Sequence, residues 1–302
     1  MLPGPGSRLV LDGGLATELA ARGHDLSDAL WSARVLADAP EAIAEVHLDY
    51  FEAGADVAIT ASYQASYEGF ASRGYSHGQA TALLQRSVAL AQSARNTYRA
   101  RHPGSGRRLL VAASIGPYGA TRHDGSEYHG DYGIDEEALV AFHRPRMRAL
   151  LDAAPDLLAC ETIPSALEAR ASVRVLREHP QARAWVSFTC RDDAHTSAGD
   201  AIAEVTRWLD REPQVVAMGI NCVAPALVSP LARAIATNTA KPVVIYPNSG
   251  ERWNAEGRCW EGAASRFTAH LDEWLGAGAC WVGGCCRTTP DDVRLVRATL
   301  DA

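Results

Sequence analysis

Short, almost unbroken apolar runs recur along the chain, and between them apolar positions return every three or four residues. A strand covered on both faces reads as a continuous apolar run, whereas a helix lying against it shows a single apolar stripe. Eight such runs cover residues 8–14, 55–60, 108–116, 156–162, 184–189, 215–222, 242–248 and 280–286. Helical spacing is predicted over residues 16–22, 40–53, 78–101, 135–153, 165–178, 199–211, 229–237, 266–276 and 290–300. In the second of these, Ile43, Val46, Leu48, Tyr50 and Phe51 mark the buried stripe and Gly54 supplies the stop.

Strand and helix in alternation imply a parallel sheet with helices over it. Eight units in 302 residues fit the α/β class and a closed (β/α)8 TIM barrel. An open doubly wound sheet is the alternative. Gly13-Gly14 lacks the G-x-G-x-x-G spacing of a dinucleotide turn. Two connections exceed the usual two to six residues, at about 62–77 and 116–133, and both follow the C-terminal ends of strands. Barrel enzymes place their sites at that end. No linker or low-complexity tract divides the chain, so residues 1–302 are expected to form a single domain.

Composition narrows the partners more than the fold. Hydrophobic residues make up 47% and charged residues 22%, with a net charge of −7. That is ordinary globular composition and gives no support for a nucleic-acid surface. Apolar runs are too short to span a bilayer, and the first residues lack the pattern of a secretory signal. A cytoplasmic protein, monomer or small homo-oligomer, is expected. The seven cysteines then read as thiols or metal ligands rather than disulfides.

The polar residues collect where the strands end. Asp12 closes the first run, Thr60 the second, Glu161 the fourth, Cys222 the sixth and Asn248 the seventh, with Cys285 and Cys286 at the eighth. Side chains of a regular strand alternate faces, so adjacent cysteines share a rim only if the strand has ended, and Gly283-Gly284 permits that irregularity. Three thiolates with an open fourth position match a catalytic zinc better than a structural one. A strained Cys285–Cys286 disulfide, two unrelated thiols, or a redox pair are the alternatives. A three-thiolate zinc already carries a formal charge near −1, and is a poor generator of hydroxide. It can still hold a substrate thiol as a thiolate, which favours alkyl transfer to sulfur over hydrolysis. None of the ten histidines shows the spacing of a zinc hydrolase.

Taken together, Asp12-Gly13-Gly14, Cys160-Glu161-Thr162, Gly219-Ile220-Asn221-Cys222, Tyr246-Pro247-Asn248-Ser249-Gly250 and Gly283-Gly284-Cys285-Cys286 resemble the homocysteine S-methyltransferases over residues 8–298. The resemblance implies a (β/α)8 barrel with Zn2+ on Cys222, Cys285 and Cys286, where homocysteine would supply the fourth ligand. It further implies that Asp12 and Glu161 hold the amino group of homocysteine, with Gly13, Thr60 and Asn248 as further substrate contacts. The plainer reading of Asp12 is a helix cap, and that of Thr60 and Asn248 is rim hydrogen bonding. The chain is short for added folate and cobalamin domains, so a free methyl donor is expected. S-methylmethionine or S-adenosylmethionine, both sulfonium cations, lead; betaine as donor or selenocysteine as acceptor are the alternatives. A thiol redox or zinc-sensing protein is the non-enzymatic reading. A cationic donor suits an aromatic or acidic surround, and Tyr63, Tyr67, Tyr118, Tyr128, Trp253 and Trp260 are candidates, of which one or two are expected to serve.

Overall fold

Parallel neighbours cannot be joined by a tight hairpin, and the helices between the apolar runs supply the crossovers. A computed structural model describes residues 6–25, 32–122, 124–254, 259–262 and 267–302. Its strands are β1 (Leu9–Val10), β2 (Val57–Ile59), β3 (Leu110–Ile115), β4 (Leu157–Ile163), β5 (Ala184–Phe188), β6 (Val215–Asn221), β7 (Val243–Tyr246), β8 (Arg252–Asn254), β9 (Cys259–Glu261) and β10 (Ala279–Val282). Strands β8 and β9 form a separate antiparallel hairpin between β7 and β10, which the apolar pattern did not reveal. The other eight make one parallel sheet in the order β1-β10-β7-β6-β5-β4-β3-β2.

That order leaves β1 and β2 as the two free edges, and they meet through a single parallel bridge, Leu11 to Val57. Two backbone bonds flank it, Asp56 N–H to Val10 O at 2.7 Å and Asp12 N–H to Val57 O at 3.1 Å. Carboxylates complete the seam. Asp56 Oδ2 accepts from the Val10 N–H at 2.9 Å, and Asp12 Oδ2 accepts from the Ile59 N–H at 2.7 Å. Arg297, on the last helix, donates to Asp56 and to Gly54 O. The sheet is therefore a closed (β/α)8 barrel, and the open-sheet alternative falls.

Inside the barrel, Trp185, Trp281 and Tyr246 are buried among Leu9, Leu11, Leu110, Leu157 and Val244. The Trp185 ring meets Trp281 and Tyr246 edge-on at 6.1 and 6.3 Å. Small residues on neighbouring strands (Ala112, Ala159 and Ala217) leave space for these rings. A Cβ at Gly219 would lie 1.7 Å from Val244 O, so β6 and β7 can approach only with glycine there. A second, larger core lies between the sheet and the helices, joining Val10, Ala58, Val111 and Leu158 to Val46, Leu84, Leu150 and Val175.

The helices largely follow the expected stripes: Leu15–Ala21, Pro40–Ala53, His77–Arg101, Glu136–Asp152, Ala166–Arg177, Ile202–Asp210, Val228–Ala236, Leu271–Gly276 and Pro290–Asp301. Side chains cap several of them. Ser76 and Gln79 form a capping box, as do Thr289 and Asp292, while Asp135 and Ser165 accept from Ala138 and Glu168 N–H. The helix expected from residue 199 starts at Ile202, because the preceding chain folds back through Cys190–Thr196 and His195–Ala201 bridges. Asp12 is not a cap: Gly14 holds that position for Leu15–Ala21, with no side-chain bond. Among the described residues, two further short α-helices occur, Ser32–Asp38 and Tyr67–Ala71, the latter within the first long connection. No helix among the described residues is long and apolar enough to cross a membrane.

Removing the Asp56 carboxylate leaves the buried Val10 N–H unpaired. Asp56→Ala is expected to lower the unfolding free energy by ~2–3 kcal/mol in urea titrations. Because Arg297 acts on the same carboxylate, Asp56→Ala with Arg297→Met should cost less than the sum of the two single changes.

Candidate active site

Three cysteines reach one point from two strands that are not neighbours. β6 ends at Asn221, and Cys222 turns out of the strand with φ of 51°. A left-handed conformation at a residue with a side chain is uncommon and is held by surrounding bonds. Here Cys222 N–H donates to Tyr246 O at 3.2 Å, and Asn248 N–H to Val223 O at 3.1 Å. Asn221 is fully buried: its Oδ1 accepts from Thr162 N–H at 2.7 Å and Ser187 Oγ at 2.8 Å, and its Nδ2 donates to Thr162 Oγ1 at 2.7 Å. Thr162 is itself left-handed, with φ of 57°. Asn221 thus ties the ends of β4, β5 and β6, and so fixes the residue before the first thiol.

The other two thiols follow β10. The sequence assigns Gly283 and Gly284 the role of allowing an irregular strand end; neither is left-handed, and both are needed for close approach. A Cβ at Gly283 would sit 2.7 Å from Asp12 O, and one at Gly284 would sit 2.2 Å from Thr288 Oγ1. The left-handed residue of this turn is Arg287, with φ of 66°, whose guanidinium pairs with Glu251 at 2.9 Å. Gly284 N–H donates to Asp12 O at 3.0 Å, Cys285 N–H to Pro247 O at 2.8 Å, and Thr288 Oγ1 to Cys285 O at 2.7 Å. The turn is therefore moored to the ends of β1 and β7.

The resulting sulfurs lie 3.8 Å apart between Cys222 and Cys286 and 3.9 Å apart between Cys285 and Cys286, all three mutually within 4.8 Å. Ligands about 2.3 Å from a tetrahedral ion lie about 3.8 Å from one another, so the spacing fits a zinc-type ion with all three sulfurs as donors. The cysteines are free thiols, half-buried, and not a disulfide pair. Hydrogen bonds from Cys222 and Cys285 pull Cys286 well below the ordinary thiol range. Cys222, which bonds Cys285 and Cys286, is raised well above it.

Two buried carboxylates face this cluster. Burial pushes Glu161 up to about 8, against hydrogen bonds from Ser114 and Tyr246 and with the Cys285 charge adding to the rise. Burial likewise raises Asp12 well above the carboxylate range, opposed by the Ile59 N–H and reinforced by Glu161 and Cys285. Asp12, Glu161 and Cys285 are therefore close enough to repel one another. A ligand cation among them would relieve that repulsion.

The remaining sequence candidates divide. Gly13 is pressed against Tyr50 and Thr288, where a Cβ would come within 2.8 and 3.0 Å. Thr60 is buried and accepts from Ser114 N–H at 3.0 Å while bonding Ser62 Oγ at 2.7 Å, which makes it a rim hydrogen-bonding residue. Asn248 is half-buried, and its Oδ1 accepts from Gly250 N–H at 3.0 Å within its own turn. Of the aromatic candidates, Tyr63 and Tyr128 carry hydroxyls that feel the thiols: desolvation at the hydroxyl raises both first, although the Tyr128 residue as a whole is 37% exposed, and charges that include Cys222 add to the rise. Tyr67 stacks on His77 and bonds Thr81, and Tyr118 packs edge-on against Tyr132 and Phe142, so these two anchor loops. The side chains of Trp253 and Trp260 lie outside the described residues, as does His123. Asn221 and Tyr246 stand in the quoted motifs but had no role assigned from the sequence, and Ser114 was not singled out. Polar residues inside otherwise apolar runs were the available signal.

A family model described as homocysteine S-methyltransferase matches residues 9–300. The homocysteine S-methyltransferase of Escherichia coli (strain K12) is 51% identical over 293 residues, which cover 96% of this chain and 94% of that protein. A selenocysteine Se-methyltransferase of Brassica oleracea var. italica is 43% identical over 314 residues, covering 99% and 91%. The crystal structure of the metallated homocysteine methyltransferase MmuM from Escherichia coli superposes with a TM-score of 0.89 at 50% identity, over 97% of this chain and 96% of that one. With the barrel, the thiol cluster and the match along nearly its whole length, the chain belongs to the homocysteine S-methyltransferase family.

Proposed function

We propose that the chain transfers a methyl group from a sulfonium donor, S-methylmethionine or S-adenosylmethionine, to the thiol of L-homocysteine, giving methionine. The observation that carries this reading is the set of three sulfurs at tetrahedral-ligand spacing beside two buried carboxylates. Cys222, Cys285 and Cys286 would hold Zn2+, which when bound lowers the pKa of the substrate thiol and keeps its sulfur nucleophilic.

The chain's own residues supply position. Glu161 and Asp12 receive the ammonium of homocysteine, whose positive charge restores their ionisation and orients its sulfur toward the thiols. Tyr63 and Tyr128 offer ring faces to the positive donor at the same rim. The homocysteine thiol gives up its proton to water, and its sulfur attacks the donor methyl in line with the departing sulfur. One C–S bond forms as the other breaks, and the donor leaves as a neutral thioether. Holding two reactants in that line is the main source of rate.

A second reading, selenocysteine as acceptor, is favoured by the 43% identity to the selenocysteine methyltransferase. Relative kcat/KM for the two acceptors decides between them.

Protein purified under reducing conditions is expected to hold about one zinc per chain and to form methionine from S-methylmethionine and homocysteine. Cys222→Ala, Cys285→Ala and Cys286→Ala should each lose the metal and at least about 10³-fold in kcat/KM. Full activity in any one of them sinks the reading.

Glu161 gives a test of sign. A buried carboxyl whose folded pKa is raised from the ordinary 4.5 to about 8 favours folding while protonated. Its contribution is complete below about 4.5 and is lost as pH rises through about 8. In metal-free protein, Glu161→Gln should therefore flatten the fall in Tm across that window while raising the homocysteine KM at least about tenfold. An unchanged homocysteine KM would remove Glu161 from substrate binding.

A further inference from the structure

The two long connections after β2 and β3 rest on a charged cluster that is sealed from solvent. Arg146, on the helix Glu136–Asp152, is fully buried, although a guanidinium is rarely so placed without partners. Each of its three nitrogens donates to a backbone carbonyl: Nε to Ala65 O at 2.8 Å, Nη1 to Gly116 O at 3.1 Å and Nη2 to Tyr63 O at 3.0 Å. Its plane lies over the Phe142 ring at 4.8 Å. Glu168 balances the charge, and its Oε1 accepts from Tyr118 N–H at 2.6 Å and from His143 Nε2 at 2.9 Å. Burial pulls Arg146 down only to about 10, so it remains a cation at neutral pH.

These bonds belong to the two loops that face the thiols. One carbonyl is that of Tyr63, whose hydroxyl bonds the Thr162 side chain and feels the charge of Cys222. Gly116 packs flat on that ring, where a Cβ would come within 2.7 Å of Tyr63 Cδ2. Further along the second loop, Gly119 lies against the backbone of Ser126 and Glu127, directly before Tyr128, and Gln64 Nε2 reaches Ala120 O at 3.3 Å. A hydrophobic side chain could fill the volume of Arg146 but would leave three buried carbonyls unpaired. Lysine would keep the charge without the planar fork that meets all three at once.

We propose that Arg146 is a positioning residue for the methyl donor: by joining the loops after β2 and β3 at their base, it holds Tyr63 and Tyr128 as one wall opposite the three thiols, where the cationic donor is received. This rests on the cationic-donor reading above. Homocysteine is received by Glu161 and Asp12, whereas the hydrogen bonds of Arg146 go to the carbonyls of Ala65, Gly116 and Tyr63. The loss on substitution is therefore selective for the donor.

The test compares Arg146→Lys and Arg146→Met with the wild type in the zinc-loaded enzyme. Zinc per chain, Tm, both KM values and calorimetric binding of S-methylmethionine without homocysteine are measured. For Arg146→Lys, zinc content and homocysteine KM should stay within about twofold, while the donor KM and Kd rise at least about tenfold. Arg146→Met should show a larger donor effect, and if it does not fold the lysine variant decides. A lowered Tm with unchanged donor Kd would reduce Arg146 to a structural role and overturn the proposal. Equal losses for both reactants together with zinc would do the same. If the wild type ignores S-methylmethionine, the donor assignment fails by itself, and the comparison is read with S-adenosylmethionine or betaine, whichever the wild type uses. If it uses none of these cations, both readings fall.

Discussion

The site depends on bridging a gap that regular strands leave open. β6 and β10 are separated by β7, so their backbones run about 10 Å apart at the usual strand spacing. Yet Cys222 and Cys286 bring their sulfurs to 3.8 Å. The chain closes that distance by leaving strand geometry on both sides, through the left-handed Cys222 and the Gly283-Gly284 turn. Everything around the thiols serves to hold those departures: Asn221 behind the first, Asp12 O, Pro247 O and Thr288 around the second. Such strain persists only where the neighbours over-determine it.

The same rim concentrates groups that destabilise the empty protein. Asp12, Glu161 and three thiols share one buried space, and burial disfavours the charged form of each carboxylate. Asp12 answers part of that cost by closing the barrel, since its Oδ2 accepts from Ile59 while its backbone oxygen accepts from Gly284. One residue therefore joins β1 to β2 and to the turn that carries Cys285. Barrel closure and site assembly are one event at this position.

Much of this was legible in order along the chain, because a strand buried on both faces has no polar face to blur its run. Six of the eight barrel strands fall within the expected runs and β4 and β10 overrun theirs by one residue, at Ile163 and Ala279, while β1 shrinks to Leu9–Val10 because its continuation is a lone bridge held by side chains. The three cysteines were legible as a set, since thiols at separate strand ends have few other reasons to coincide. The reason for Gly283-Gly284 was not, because close approach to Leu11 and Thr288 is a tertiary fact. Nor could spacing separate Tyr63 and Tyr128, whose hydroxyls feel the thiols, from Tyr67 and Tyr118, which pack on their own loops. All four occupy similar loop positions, and only the packing beneath them differs. Arg146 was invisible for the same reason, since an arginine on a helical stripe reads as solvated surface until three carbonyls are found around it.

The aromatic layer inside the barrel has a bearing on traffic. Trp185, Trp281 and Tyr246 fill the channel beneath the thiols, with Trp185 Nε1 donating to the Tyr246 hydroxyl at 3.0 Å. The barrel is thus a blind well whose floor is indole and phenol. Among the described residues these rings block passage through the barrel, which leaves the loop face as the way to the thiols.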